Sequence, residues 1–193
     1  MDAILVHGAY GNPEENWFPW LKRELEKLGF NVFVPEFPTP GNQNLENWLR
    51  VFEEYRRHLG PDTILVGHSL GPAFILHVLE KFDRPIWGAF FVAGFISEIG
   101  NPDFDGINRT FYQRTDFSKV KENCRSFFVF YSDNDPYVRE EKSMELATSL
   151  DVKPMAIKDA GHFNGKNISR FTGKNKAVNR IFSRRRIGTT HSL

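Results

Sequence analysis

The sequence predicts an α/β fold in which helices cover both faces of a mostly parallel, six-stranded sheet. Short and almost continuously apolar runs alternate with longer segments whose apolar residues have helical spacing. This alternation is typical of strand-helix-strand units with right-handed crossovers, and strands that are apolar on both sides are expected inside such sheets. The six candidate strands span residues 3–6, 31–34, 63–66, 86–92, 126–131 and 153–157.

Helices are predicted between these strands. In the first helical segment the apolar side chains recur three or four residues apart, at Trp17, Leu21, Leu25 and Leu28, and Gly29 then ends the helix. The four predicted helices span residues 17–28, 45–59, 72–82 and 138–150. Residues 94–115 lack a clean period and contain turn-forming Asn-Pro-Asp and Asp-Gly, which predicts a long loop with short helical turns.

The chain has 193 residues, of which 40% are hydrophobic, and no segment rich in proline, glycine or serine divides it. This predicts one α/β domain over residues 1–165, followed by an atypical basic C-terminal tail at 166–193. All 24 acidic residues lie at or before Asp159, whereas residues 163–193 hold 8 basic residues and no acidic one. A basic tail can contact anionic partners. We favour a weakly ordered tail or a shifted reading frame over a tail that binds an anionic partner, and we expect no nucleic-acid partner.

The remaining composition restricts the class of protein. Cys124 is the single cysteine, which excludes an internal disulfide and a cysteine-rich metal site. The start, Met-Asp-Ala-Ile-Leu-Val-His-Gly, has an acid at position 2 and only a short apolar run, unlike a signal peptide or a membrane span. We therefore expect a soluble, cytoplasmic protein without a metal or cofactor, whose oligomeric state the sequence does not indicate.

The pentapeptide Gly-His-Ser-Leu-Gly at positions 67–71 is the sharpest local signal. It follows a predicted strand and precedes a predicted helix, which is the context that a nucleophile elbow requires. The tight turn would push the Ser69 hydroxyl clear of the sheet at the helix N-terminus, where the amide of Leu70 would face a developing oxyanion. The pattern predicts Ser69 as a nucleophile.

A serine nucleophile needs an adjacent base, which is in turn oriented by an acid. Of the six histidines, His162 directly follows the last predicted strand, so it lies at the same sheet edge as Ser69. The acid is expected after the preceding strand, where Asp133 and Asp135 compete. We favour Asp135, because the following proline holds its backbone extended, and keep Asp133 as the fallback. The order Ser, Asp, His is the one expected for such a triad on an α/β sheet.

A loop of small residues follows the first strand, with the sequence His-Gly-Ala-Tyr-Gly at positions 7–11. Such a loop lets backbone amides approach the nucleophile, so the N–H of Ala9 is the candidate second oxyanion donor beside that of Leu70. A phosphate-binding loop is not indicated, since neither glycine-rich nucleotide motif is present.

Together these motifs resemble the small α/β hydrolases of the retinoblastoma-binding-protein and bacterial YdeN type. The resemblance rests on His7-Gly8, the pentapeptide 67–71, Asp135-Pro136 and Gly-His-Phe-Asn at 161–164, and it covers roughly residues 2–172. It implies the α/β-hydrolase fold without a large cap domain, and a triad of Ser69, Asp135 and His162. It also implies hydrolysis of small acyl esters through an acyl-serine intermediate, as in carboxylesterases.

Two alternatives remain at this point. A thioesterase or peptidase would use the same triad. A non-catalytic interaction module on a hydrolase scaffold is the other, since a relative is described as binding retinoblastoma protein through an L-x-C-x-E motif. That motif is missing here, where the cysteine lies in Glu-Asn-Cys-Arg-Ser at 122–126. Relatives also end in an amphipathic helix, whereas only Val178, Ile181 and Phe182 form a short apolar stripe here.

Overall fold

Six parallel strands form the centre of the molecule. The structure is a computed structural model and describes residues 1–165. Neighbouring strands are parallel throughout, in the order β2-β1-β3-β4-β5-β6. The predicted α/β fold with a six-stranded parallel sheet is therefore confirmed, and no large cap domain is present within the described range. The strands are β1 (Asp2–Val6), β2 (Asn31–Phe33), β3 (Ile64–His68), β4 (Gly88–Val92), β5 (Phe127–Ser132) and β6 (Met155–Ile157).

The connections contain helices, at and beyond the predicted positions. They are α1 (Phe18–Lys27), α2 (Leu45–Phe52), α3 (Gly71–Glu80), α4 (Pro102–Asn108), α5 (Phe117–Glu122) and α6 (Glu140–Ser149). The helix predicted over 45–59 is α-helical only to Phe52 and continues as a 3₁₀ helix, Glu53–His58. No residue of that 3₁₀ segment is buried, and of its six residues Tyr55 alone is among those packed against the larger core, so little apolar contact holds it in the α form. Helix α5 was not predicted, because six residues with one buried side chain, Val120, are too short to show a period.

Side chains on the two faces of the sheet pack into two separate cores. Successive strand residues point to opposite faces. Ile4 and Phe91 accordingly join the larger core under α2, α3 and α6, whereas Leu5 and Phe90 join the smaller core under α1. Burial of each such side chain stabilises the fold by about 1.5–3 kcal/mol. None of the helices within residues 1–165 has the length and apolar character needed to cross a membrane.

The strand order creates a crevice at the carboxyl edge of the sheet. The chain leaves β1 towards β2 on one side and later returns to form β3 on the other. Ligands bind at such switch points in open α/β sheets. Helix α3 begins here in direct contact with β1, since a Cβ atom on Gly71 would lie 2.5 Å from the Val6 carbonyl oxygen. The loops after β1 and β3 therefore border one crevice.

Candidate active site

Ser69 lies in the sharp turn between β3 and α3. Its φ is 57°, in the left-handed region that non-glycine residues rarely adopt, and this costs on the order of 1 kcal/mol. Its amide donates a hydrogen bond of 2.9 Å to the Val92 carbonyl, at the end of β4. The turn is tight enough that a Cβ atom on Gly67 would lie 2.7 Å from the Pro72 nitrogen. The surrounding fold thus maintains a strained backbone at the residue predicted as nucleophile.

The imidazole of His162 lies between Ser69 and Asp135. Its Nε2 atom is 3.1 Å from the Ser69 Oγ, and its Nδ1 atom is 2.8 Å from the Asp135 Oδ2. The side chains of His162 and Asp135 are only 10% and 2% exposed. A carboxylate only accepts hydrogen bonds, so His162 Nδ1 carries a proton. In the neutral ring Nε2 then has a lone pair, and this lone pair faces the Ser69 hydroxyl. The structure brings the three predicted residues into one hydrogen-bonded chain.

Asp135, rather than Asp133, contacts the histidine. The second oxygen of Asp135, Oδ1, accepts hydrogen bonds from the amides of Tyr137 and Val138 at 2.9 and 3.0 Å. These bonds hold the carboxylate rigidly at the end of the loop after β5. The Asp133 carboxylate instead accepts from the Asp159 amide at 2.8 Å. It therefore serves the loop that carries His162 and does not touch the ring.

Four consecutive side chains, starting at the last residue of β5, bind four consecutive residues of the loop that carries His162. Besides the two aspartate contacts, Ser132 Oγ accepts from the Ala160 amide at 3.0 Å, and Asn134 Oδ1 accepts from the Gly161 amide at 2.7 Å. The Ser132 hydroxyl also donates to Asn134 Oδ1 at 2.8 Å. These four contacts, which we call the ladder, fix the position of His162 above the carboxyl edge of the sheet. The roles of Ser132 and Asn134 were not predicted from the sequence, although the polar run Ser-Asp-Asn-Asp directly after a predicted buried strand indicates a loop rich in hydrogen-bonding groups.

His68 holds the histidine loop from the opposite side. It is buried, and its Nε2–H donates to the backbone carbonyl of His162 at 2.8 Å. Burial, and then the neighbouring His162, lower the pKa of His68 to about 3. The ring is therefore neutral at ordinary pH, and it has no carboxylate in hydrogen-bonding contact. It orients backbone rather than accepting a proton from Ser69.

His7 fixes the loop after β1 in a similar way. Its Nδ1–H donates to the Gly8 carbonyl at 2.8 Å, while its Nε2 accepts the Phe37 amide at 3.0 Å. Burial lowers the pKa of His7, which favours this neutral form. In a trans peptide the carbonyl and the following N–H point in opposite directions. The Gly8 carbonyl is held against His7, so the N–H of Ala9 is directed away from it.

Gly8 is also the point of closest approach between this loop and the nucleophile. A Cβ atom at position 8 would lie 2.7 Å from the Ser69 Cβ and 3.2 Å from the Ser69 Oγ. The absence of a side chain here lets the Gly8–Ala9 peptide come close to the serine. Of the two predicted oxyanion residues, Ala9 thus lies on the loop after β1, and Leu70 directly follows Ser69 in the turn between β3 and α3. Neither amide donates a hydrogen bond to another group in residues 1–165.

A cleft of about 270 Å³ opens above Ser69. Phe95 and Phe104, from the irregular segment 94–115, line it, whereas Ile96 packs against the larger core. No three His, Cys, Asp or Glu side chains cluster as metal ligands in the described part of the chain. The remaining lining comes from the end of β3, from Ile99 in the same irregular segment, and from the loops after β1, β5 and β6.

Comparison with known proteins identifies relatives that share both sequence and fold. The family model described as "Serine hydrolase" matches residues 3–172. The protein YdeN from Bacillus subtilis (strain 168) is 30% identical over 163 residues, which cover 83% of this chain and 85% of the relative. Serine hydrolase RBBP9 from Rattus norvegicus is 27% identical over 164 residues, with coverages of 83% and 86%.

The structural comparison agrees with the sequence comparison. The crystal structure of the ydeN gene product from B. subtilis superposes with a TM-score of 0.84 at 26% identity, covering 94% of this chain and 97% of the other. The matched range of the family model includes Ser69, Asp135 and His162. The chain therefore belongs to the small serine hydrolases of the RBBP9/YdeN family.

Proposed function

We propose that this protein hydrolyses small acyl esters through a covalent acyl-serine intermediate. The observation that supports this best is the continuous hydrogen-bonded chain from Ser69 through His162 to Asp135, with spacings of 3.1 and 2.8 Å. A base within hydrogen-bonding reach of a hydroxyl, itself oriented by a buried carboxylate, is the arrangement that activates serine for attack on a carbonyl. No metal or cofactor takes part in the proposed reaction.

In the acylation half of the reaction, Ser69 Oγ attacks the carbonyl carbon of the ester. His162 Nε2 takes the hydroxyl proton, and Asp135 stabilises the resulting imidazolium without being protonated itself. The tetrahedral intermediate then collapses, the bond from carbon to the alcohol oxygen breaks, and His162 gives its proton to that oxygen. The alcohol leaves, and the acyl group remains on Ser69.

Deacylation repeats the same steps with water. His162 removes a proton from a water molecule as it attacks the acyl carbon, and the proton returns to Ser69 Oγ when the ester bond to the enzyme breaks. The products are a carboxylic acid and regenerated serine. Water reaches this position through the open cleft above Ser69.

The oxyanion is stabilised, in this proposal, by the backbone amides of Ala9 and Leu70. Both flank Ser69, and within residues 1–165 both lack a competing hydrogen-bond acceptor. The His7 contact to the Gly8 carbonyl orients the Ala9 amide before the substrate binds. A preorganised donor of this kind contributes about 10²–10³ in kcat.

The decisive experiment combines covalent labelling with turnover. We expect a fluorophosphonate probe to label the protein at Ser69, and short-chain nitrophenyl esters to be cleaved. Ser69→Ala should lose both the label and the activity while unfolding at the same denaturant concentration as the wild type. Labelling that persists in Ser69→Ala would refute the assignment of the nucleophile.

The same assay separates the alternative functions. A matched series of esters, thioesters and peptide amides with one acyl group would rank the three activities that this triad can perform. A folded protein that neither reacts with the probe nor cleaves any member of the series would instead favour a non-catalytic interaction module.

A further inference from the structure

Exposed aromatic surface is concentrated beside the nucleophile. The large hydrophobic side chains that are exposed within residues 1–165 are Met1, Tyr10, Leu28, Tyr137 and Met144. The two aromatic members, Tyr10 and Tyr137, are 49% and 50% exposed, and both line the cleft above Ser69. Every other aromatic ring in this range is buried or half-buried. Apolar surface that gathers at a cleft, rather than being scattered singly, indicates a binding site.

Tyr10, Phe104 and Tyr137 form a continuous row of rings, which we call the aromatic arc. The ring centroids of Tyr10 and Phe104 are 5.4 Å apart at an interplanar angle of 71°. Those of Phe104 and Tyr137 are 6.4 Å apart at 37°. Tyr137 then contacts the ring of His162 edge-on, at 5.2 Å and 78°. The arc therefore runs from the loop after β1, across α4, to the histidine.

The cleft is also lined by polar side chains, those of Glu15, Asn16 and Asn164, and Glu15 is exposed. The rings of the arc therefore offer an apolar group of the substrate a surface that these polar side chains do not.

We propose that the aromatic arc binds a planar aromatic ring carried by the alcohol portion of the ester. This inference rests on the proposed acyl transfer. His162 must deliver its proton to the alcohol oxygen as that oxygen leaves, so the alcohol lies next to His162 Nε2. Tyr137 contacts the same imidazole, and Phe104 is its neighbour. We expect an aromatic ring that is one methylene away from the ester oxygen to contact the rings of both Tyr137 and Phe104.

Aromatic rings gain more from this surface than saturated rings of equal size. Ring pairs prefer edge-to-face and offset contacts, and each contact contributes about two- to twelvefold in binding beyond the area it buries. The Tyr10–Phe104 and Tyr137–His162 contacts are already edge-to-face, and an incoming ring would extend the row. A cyclohexyl group would bury similar area without the electrostatic part of the attraction.

The test compares benzyl acetate with cyclohexylmethyl acetate, which differ only in the aromaticity of the alcohol. The ratio of the two kcat/KM values is divided by the ratio of the alkaline hydrolysis rates of the same two esters, which removes the difference in their intrinsic reactivity. We expect the wild type to prefer the benzyl ester by about tenfold, from two ring contacts. Tyr137→Leu and Phe104→Leu should each bring the preference towards one. The matched control Tyr55→Leu removes a ring that contacts Phe33 and Phe52, away from the cleft, and should keep the full preference.

A second substrate pair tests the assignment to the alcohol side. Ethyl phenylacetate and ethyl cyclohexylacetate differ in the acyl portion, and their ratio should stay near one. A wild type without benzyl preference, or with its aromatic preference on the acyl side, would overturn the inference while the esterase activity stands. Absence of hydrolysis of all four esters together with absence of Ser69 labelling would instead overturn the proposed function, and the subsite with it. Labelling and unfolding curves for the leucine variants show whether the nucleophile and the fold are intact.

Discussion

Replacing Gly8 by alanine is the most direct test of how the loop after β1 approaches the nucleophile. The added Cβ atom would lie 2.7 Å from the Ser69 Cβ, 3.2 Å from the Ser69 Oγ and 3.2 Å from the His68 carbonyl oxygen. The nearest neighbours belong to the elbow itself, so no flexible side-chain end can move aside. The Gly8–Ala9 peptide must therefore shift away from Ser69, by several tenths of an ångström.

Two effects of different size follow from that shift. Overpacking of this kind lowers the free energy of unfolding by about 1–3 kcal/mol. Withdrawal of the Ala9 amide, the proposed oxyanion donor, should lower kcat by about 10²–10³, because its hydrogen bond is needed most in the transition state. KM for a short nitrophenyl ester should change little, since the ground-state carbonyl relies less on this donor.

The control for this substitution is Gly106→Ala in α4, where an added Cβ atom meets nothing within 4 Å. Steady-state kinetics and urea unfolding of both variants separate catalysis from stability. Gly106→Ala should keep the wild-type kcat and stay as stable or gain up to about 1 kcal/mol, since alanine favours the helix. A Gly8→Ala enzyme with unchanged kcat and unchanged unfolding free energy would refute the close approach described here.

Three further predictions concern the groups that orient His162. Asp135→Asn should lower kcat by about 10⁴, because an amide at the Nδ1 side favours the wrong tautomer, whereas Asp133→Asn should retain activity within a few-fold; equal losses in the two variants would contradict the geometry. Asn134→Ala removes the acceptor of the Gly161 amide and should lower kcat by up to about a hundredfold with a smaller change in KM, and an unchanged kcat would show that the ladder is not needed. The pKa of His68 falls from 6.5 to about 3 on folding, so between these values the unfolded chain binds the extra proton and stability decreases as the pH is lowered. Urea unfolding between pH 6.5 and 4 should therefore show a slope that is shallower in His68→Gln by up to about 1.4 kcal/mol per pH unit, and identical slopes would be the contrary result.

The sequence predicted the strands well because parallel strands buried on both faces are nearly continuous apolar runs. Each of the six predicted runs overlaps an observed strand, with ends that differ by up to two residues. The errors occur where burial is weak. The exposed stretch Glu53–His58 extended a helical pattern that the structure continues only as a 3₁₀ helix, and α5 was too short to show any pattern.

The order of Ser69, Asp135 and His162 in the chain, and their positions just after predicted strands, were enough to predict that they lie together, because the carboxyl ends of parallel strands meet at one edge of the sheet. The choice between Asp133 and Asp135 depended on the three-dimensional structure, because both lie on the same loop. Asp133 accepts a hydrogen bond from the backbone of the loop that carries His162, whereas Asp135 accepts one from the His162 ring. The ladder through Ser132 and Asn134 was missed for the same reason: its partners are 27 or 28 residues away. The predicted tail at 166–193 lies outside the described residues.

The three histidines that line the cleft show what separates a base from its supports. His7 and His68 are more deeply buried than His162, and each donates a hydrogen bond to a backbone carbonyl. Each also connects distant parts of the chain: His7 accepts from the Phe37 amide, 30 residues away, and His68 donates to the His162 carbonyl, 94 residues away. Burial without a carboxylate in hydrogen-bonding contact disfavours the imidazolium, so neither ring can hold the proton that Ser69 must lose. His162 is also largely buried, but its Nδ1 proton is shared with a buried carboxylate. Partner chemistry, rather than proximity to Ser69, therefore distinguishes His162, the proposed base, from the other two histidines. In His7 and His68 the same burial instead holds the backbone near Ser69 in place.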